Sequence, residues 1–358
     1  MSSFFENPQQ VIDITRVVGA AVLTFLVAFG LTPMLTHYLF KYKFGKSIRD
    51  TGKTPIYTKL HKKKAGTPVG GGIIVWGSVF ALAILFAVLS LVIPSTITES
   101  LNFLDRSQTL LPLGALIAAA LVGFVDDYLN VKKIGPTGGF TMGQRLVLYT
   151  IVAAGGAAWF FFRLDWSIIH VPGIGDYEIG WWYIPLFMFV IVATAFSVNE
   201  ADGLDGLAGG MLLFSFAAYV AIAFAIGRIE LAMFNAAIVG GLLAFLWFNI
   251  HPARFFMGDT GAMSLGTTLG IMAMLTNTAL VLPIIAFPLV LESLSVIIQL
   301  SSKALFKRKV FLSAPIHHHF EAIGWPETKV VMRFWIVAAV SAGLGLVIAL
   351  IGRGSWVS

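Results

Sequence analysis

Ten long apolar stretches, separated by short polar segments, leave this chain few ways to fold. They run near 17–40, 68–94, 109–129, 144–162, 181–198, 205–226, 231–248, 262–281, 283–302 and 330–351. A bilayer core of ~30 Å is crossed by about 20 such residues in a helix. Continuous apolarity predicts helices and excludes a barrel, whose strands would alternate. Of 358 residues, 58% are hydrophobic and only 12% are charged, with a mean hydropathy of +0.87. Soluble proteins carry about 25% charged residues, so this chain lacks the means to cover a water-facing surface. A soluble enzyme and a disordered chain are excluded. The absence of cysteine removes a disulfide scaffold, a thiolate nucleophile and a thiolate metal site.

The expectation is an all-α polytopic membrane protein of about ten transmembrane helices, forming a single integral membrane domain over 1–358. Leu282-Pro283 is the only break between the eighth and ninth spans. Met1 to Gln10 carries no basic segment, and no small-residue cleavage site follows before Phe40. The first span therefore reads as an anchor and not a signal peptide. No internal repeat is visible.

Charge orients the spans. With ten crossings both termini share one side, and the loops alternate. One set of loops is 41–67, 130–143, 199–204, 249–261 and 303–329. The first of these alone holds Lys41, Lys43, Lys46, Arg49, Lys53, Lys59, Lys62, Lys63 and Lys64. Of the 24 Lys and Arg, 19 lie on this set or at its helix ends; the exceptions are Arg16, Arg106, Arg163, Arg228 and Arg353. Positive residues stay in the cytoplasm, so this set is expected to be cytoplasmic and both termini periplasmic.

Carboxylates in membrane helices are costly and usually mark function. Here they gather at the basic face. Asp126-Asp127 is expected to end the third span. Asn199, Asp202 and Asp205 lie in Asn-Glu-Ala-Asp-Gly-Leu-Asp-Gly-Leu-Ala-Gly-Gly, and Asp259 in Phe-Phe-Met-Gly-Asp-Thr-Gly. His317, His318 and His319 lie in the last loop of the same set. Separate loops are therefore expected to supply one cytoplasmic site. Neighbouring aspartates on a helix point ~100° apart, so only one of Asp126 and Asp127 meets a given ligand squarely. Asp202 and Asp205, three apart, are expected on one helical face. Carboxylates amid lysines, with glycine turns exposing backbone N–H groups, suit phosphate and Mg²⁺, which prefers oxygen ligands. Gly258-Asp259-Thr260-Gly261 reads as the loop that delivers one ligand.

Each feature also has a plainer reading. An aspartate pair at a helix end serves as solvated interfacial charge, glycines serve close helix packing, and Lys62-Lys63-Lys64 serves as a topology signal. Zinc is disfavoured at the histidines, because consecutive rings do not readily converge on one ion. Bonding to phosphate oxygens or to an acidic neighbour is expected instead. Glu292 and Gln299 share a face of the ninth span, and the glutamate is expected to point inward and be paired.

Taken together and in this order, Asp-Asp-Tyr, Asn-x-x-Asp-Gly-Leu-Asp-Gly-Leu-Ala, Phe-Met-Gly-Asp and Ala-Pro-Ile-His-His-His-Phe-Glu resemble the polyprenyl-phosphate N-acetylhexosamine-1-phosphate transferases. More narrowly they resemble the phospho-N-acetylmuramoyl-pentapeptide branch, over roughly 15–351. The resemblance implies ten helices, a homodimer and a Mg²⁺-dependent cytoplasmic site in a bacterial inner membrane. It implies transfer of phospho-N-acetylmuramoyl-pentapeptide from UDP-N-acetylmuramoyl-pentapeptide to undecaprenyl phosphate, giving lipid I and UMP in peptidoglycan biosynthesis. Nucleic acid plays no part in such a reaction.

Residue by residue, Asp126, Asp127 and Asp259 match the family's essential aspartates, with Asp259 the metal ligand. His317, His318 and His319 match its histidine motif, His317 as a catalytic member. Lys64, Asp205, Asn249, Phe256 and Gly258 match nucleotide contacts, and Asn199 and Asp202 join the substrate-binding set. Val69-Gly70 and Glu200-Ala201 depart from the family's usual residues. Two alternatives are a sister transferase using UDP-N-acetylglucosamine and a secondary transporter. The transporter would need ionisable groups near the midplane of broken, repeated helices, a pattern absent from this sequence.

Overall fold

The computed structural model describes residues 8–45, 64, 66–104, 107–135 and 138–353. Lys46, Arg49, Lys53, Lys59, Lys62 and Lys63 of the basic loop lie outside the described residues. Among the described residues ten long helices follow one another: α1 (Pro8–Lys41), α2 (Ile73–Val92), α3 (Ser107–Lys132), α4 (Met142–Ala158), α5 (Tyr183–Ala201), α6 (Leu207–Ala225), α7 (Ile229–Asn249), α8 (Gly258–Leu275), α9 (Phe287–Phe306) and α10 (Glu327–Gly352). Among the described residues, nine of them are long and apolar enough to cross a membrane. The chain is an all-α polytopic membrane protein.

The exception is α8, and its composition explains its place. It is rich in Gly, Ser and Thr, and every residue except Asp259 is buried. Its hydroxyls are satisfied by its own backbone: Ser264 donates to Thr260 O and Thr268 to Ser264 O. Small residues let other helices close in; a Cβ at Gly266 would lie 2.8 Å from Ala195 Cα, on α5. This helix is wrapped by protein instead of lipid, so it has no need of an apolar exterior. Around it pack α3 and α5, while α6 and α7 form the rest of a heavily buried centre. The outer helices α1, α4 and α10 expose apolar faces along their length.

Several boundaries differ from the sequence expectation. α3 continues to Lys132, so Asp126 and Asp127 sit inside the helix and do not end it. The break between the eighth and ninth spans falls at Thr276–Val281, with Asn277 in the left-handed region. Leu282-Pro283 instead opens a short helix, Leu282–Ile285, because proline is tolerated in a first turn. A hairpin of β1 (Ile168–Val171) and β2 (Gly175–Glu178) lies between α4 and α5.

Candidate active site

The site assembles at the end of the bundle where α3, α5 and α7 finish and α4, α6, α8 and α10 begin. The turn Asp202–Gly206 stands at its centre. This turn separates α5 from α6, so Asp202 and Asp205 are not on one helical face as their spacing suggested. α5 ends at Ala201, and Gly206, left-handed with φ +80°, stands just ahead of α6. The two carboxylates diverge: Asp202 Oδ2 accepts from Gly258 N at 3.0 Å, whereas Asp205 faces the other way.

The first cluster surrounds Arg145. Its position is set locally by a reciprocal cap at the start of α4, in which Gln144 N donates to Thr141 Oγ1 and Thr141 N donates to Gln144 Oε1. One residue later, the guanidinium reaches three partners. Nη1 donates to Asn199 Oδ1 and Nη2 to Asp259 Oδ2, both at 2.9 Å, and Nε lies 2.7 Å from Asp126 Oδ2. Asn199 Nδ2 donates to Asp259 Oδ1 at 2.5 Å, and Phe140 N donates to Asp126 Oδ1 at 2.6 Å. Asp126 is fully buried, while the Asp259 side chain is 13% exposed.

Asp127 does something different. Its two oxygens accept from Asp259 N and Thr260 N, each at 3.0 Å, so a carboxylate of α3 caps the first turn of α8. Helix N-termini leave such donors unsatisfied and carry partial positive charge. Gly258-Asp259-Thr260-Gly261 is therefore the opening turn of α8 and not a loop. Gly258 is required there by its φ of +76°, and because a Cβ would meet Asp127 Oδ2 at 2.6 Å. The adjacent aspartates do point apart, Asp126 to Arg145 and Asp127 to α8.

The second cluster surrounds Lys64. Its Nζ donates to Asp205 Oδ1 at 2.7 Å and to Glu327 Oε1, and lies 5.8 Å from the Phe256 ring centroid. Asp205 Oδ2 accepts from Ala253 N at 3.1 Å and pairs with His251 Nδ1 at 2.8 Å. Burial works to raise the Asp205 pKa, but the hydrogen bond and charge of Lys64, with Ala253 N and His251, hold it below the ordinary value. Asn249 ties this region together, accepting from Gly206 N and donating to Phe255 O.

The three histidines take different partners, although the His317 and His318 rings lie 4.0 Å apart between centroids. His317 Nδ1 lies 2.8 Å from Glu292 Oε2, both fully buried, and its ring rests against Gly203, where a Cβ would come within 2.3 Å of Nε2. His318 Nδ1 pairs with Glu321 at 2.7 Å, and His319 Nδ1 accepts from Leu312 N at 3.3 Å. His317 rests against the Asp202–Gly206 turn through Gly203. Glu292 is inward and paired, as its depth in the span predicted. Gln299, also buried, instead clamps the loop at Val310 and Phe311.

Arg145 and His251 were not singled out from sequence, and Glu327 was given no role in the site. The Thr-Met-Gly-Gln cap just ahead of Arg145 was the available signal for the first; the other two look like ordinary loop charges.

Two donor sets invite a cation. Asp205, His251 and Glu327 each bring a ligand atom within 4.8 Å of the others. The Lys64 ammonium already bridges those two carboxylates, so a cation is present there in covalent form. Around Arg145 the donors are oxygens of Asp126, Asp259 and Asn199, the hard set that Mg²⁺ favours. Asp126 and Asp259 pair with the one arginine, and Asp127 and Glu200 stand close enough to feel its charge, so this cluster has negative charge to spare.

A helical membrane protein with an acidic, oxygen-lined site at one end is the class that the geometry defines. Comparison with known proteins is more specific. Residues 109–277 match glycosyl transferase family 4. The phospho-N-acetylmuramoyl-pentapeptide-transferase of Heliobacterium modesticaldum is 40% identical over 344 residues, covering 94% of this chain and 98% of that protein. The proteins of that name from Shouchella clausii and Chloroflexus aggregans are 38% and 36% identical, covering 91% and 95% of this chain and 95% and 91% of their own lengths. The chain belongs to the phospho-N-acetylmuramoyl-pentapeptide-transferase family.

Proposed function

We propose that this protein transfers phospho-N-acetylmuramoyl-pentapeptide from UDP-N-acetylmuramoyl-pentapeptide to undecaprenyl phosphate, releasing UMP and giving lipid I. The observation that carries the reading is near full-length identity of 36–40% to relatives named for this transfer. The site supports it by joining a carboxylate cluster and a lysine cluster across one turn. The protein works as one membrane domain of the bacterial inner membrane, with the site cytoplasmic and both termini periplasmic; the Lys and Arg distribution supports that orientation.

Attack by a lipid-phosphate oxygen on the β-phosphorus forms the new P–O bond as the bond to UMP breaks. Two anions must approach, so the barrier contains strong repulsion, and preorganised positive charge lowers it. Arg145 and Lys64 supply that charge from opposite sides of the Asp202–Gly206 turn. Asp126 orients the lipid phosphate or takes its proton, while Asp127 fixes α8 so that Asp259 is correctly placed. Lys64, Asp205, Asn249, Phe256 and Gly258 make the nucleotide side, with Asn199, Asp202, His318 and His319 contributing to substrate binding and His317 to catalysis. Asp259, with Asp126 and Asn199 beside it, would hold Mg²⁺, which supplies charge neutralisation to the pyrophosphate. A homodimer is the expected assembly.

The test is UMP release by the purified protein with undecaprenyl phosphate, Mg²⁺ and either UDP-N-acetylmuramoyl-pentapeptide or UDP-N-acetylglucosamine. Release with the first nucleotide alone, lost in Asp259→Ala, is expected. Release with the second would move the protein to the sister reaction, and release with neither would overturn the proposal.

A further inference from the structure

Four helices run from the site to a second group of charged residues. α6, α7, α8 and α10 each place one end in the site, at Gly206, Asn249, Asp259 and Glu327. Their other ends border a cavity of about 500 Å³, beside Ile226, Arg228, Leu275 and Arg353. At 1.5 Å per residue, α8 alone separates the two by about 27 Å. The hairpin forms one wall of the cavity, with His170 N donating to Asn277 Oδ1 at 3.0 Å.

Two arginines converge on the C-terminal end of α8. Arg228 Nη1 donates to Leu275 O at 2.7 Å, and Arg353 Nη2 donates to Thr276 O. These carbonyls are neighbours, so the guanidiniums are held close together. Arg228 also lies 5.4 Å from the Trp166 ring centroid. Asp165 and Asp176 line the same cavity. Asp176, though, is 63% exposed and sits 2.6 Å from His170 Nδ1. Among the described residues, neither arginine is ion-paired with a carboxylate. Arg353 Nε and His170 Nε2 are buried there without a hydrogen-bond partner among those residues. Burial lowers the pKa of both arginines; the charge of Arg353 adds to this at Arg228, and Asp176 opposes it at Arg353.

One cation is enough to complement a helix C-terminus. Two guanidiniums, each with five N–H donors, beside an open cavity have donors left over. We propose that this cavity binds a phosphate group between Arg228 and Arg353. The planar forks of arginine match phosphate oxygens. Two sources share that chemistry: the headgroup of an anionic lipid, and the free ion. Exposed Phe162, Trp181 and Trp182 at the same end resemble the aromatic belt of a membrane interface, which favours the lipid.

The test uses the full-length protein in detergent, with binding followed by native mass spectrometry. The probes are short-chain phosphatidylglycerol, diacylglycerol with the same chains, and inorganic phosphate. Phosphatidylglycerol should bind and diacylglycerol should not; competition by inorganic phosphate at similar concentration would identify the free ion as the source instead. Arg228→Gln combined with Arg353→Gln should weaken binding at least about tenfold. Asn277→Asp keeps the acceptor for His170 N and adds a carboxylate beside the arginines, so it should produce a similar loss while UMP release stays at the wild-type rate. Equal phosphatidylglycerol binding by wild type and Asn277→Asp would overturn the proposal. So would diacylglycerol binding as well as phosphatidylglycerol, or binding of neither phosphate probe.

Discussion

The Arg145 and Lys64 clusters solve one problem in two ways. Each places a single basic side chain among carboxylates drawn from separate segments of the chain. Around Arg145 stand Asp126, Asp259, Asp127 and Glu200, two of them engaging backbone N–H groups. Around Lys64 stand Asp205 and Glu327, with His251 available as a second cation. The first cluster keeps an excess of negative charge and the second is close to balance. A cluster that is already balanced has little use for a divalent ion, whereas one in deficit attracts it. That difference is the ground on which we propose Asp259 as the cation's ligand and the lysine cluster as the nucleotide side.

The comparison is broken most directly at Asp259. Asp259→Ala should lower UMP release by about 10³ or more, since preorganised charge at a transferring phosphoryl group is a dominant contribution. Arg145→Gln should cost about 10² in turnover. Arg145→Lys should recover part of that loss, because one ammonium cannot reproduce the fork that spans Asn199 and Asp259. Asp127→Ala should be read as a stability change. It leaves two donors in the first turn of α8 without partners, at about 1–3 kcal/mol each, and should lower the Tm in detergent as well as activity.

At the second cluster, Lys64→Gln should raise the KM for the UDP-sugar about tenfold with a smaller effect on kcat, as loss of uniform binding does. The smallest effect is one of pH. Asp205 has a folded pKa below its unfolded one, so its contribution to stability is complete above the ordinary carboxylate pKa of about 3.9. That contribution disappears as pH falls through the lower folded value. Asp205→Asn should remove this acid-side loss, as thermal unfolding followed from about pH 5 down to about pH 2 would reveal.

Much of this architecture was legible in the sequence because the membrane imposes a coarse code. Twenty apolar residues announce a helix whatever their packing, and all ten long helices were placed. Boundaries were less legible where polar residues extend a helix, as α3 does past Asp126 and Asp127, or where a turn replaces the expected helical start, as at Asp205 and Gly206. The hairpin at 168–178 is short and carries no strong alternating pattern. Grouping Asp126, Asp127, Asn199, Asp202, Asp205 and Asp259 at one end followed from topology. Their division into two clusters did not, because that depends on Arg145, His251 and Glu327, whose partners are distant in sequence. Arg145 counted only as one more basic residue on the positive side. That Asp127 also caps a different helix was not legible, because nothing in an Asp-Asp pair reveals it.

Electron paramagnetic resonance of Mn²⁺ bound to the purified protein tests the assignment of the cation, comparing wild type, Asp259→Ala and Glu327→Gln. The account predicts one bound ion in wild type, its loss in Asp259→Ala and its retention in Glu327→Gln. Retention in Asp259→Ala together with loss in Glu327→Gln would place the ion at Asp205, His251 and Glu327, and would contradict the account.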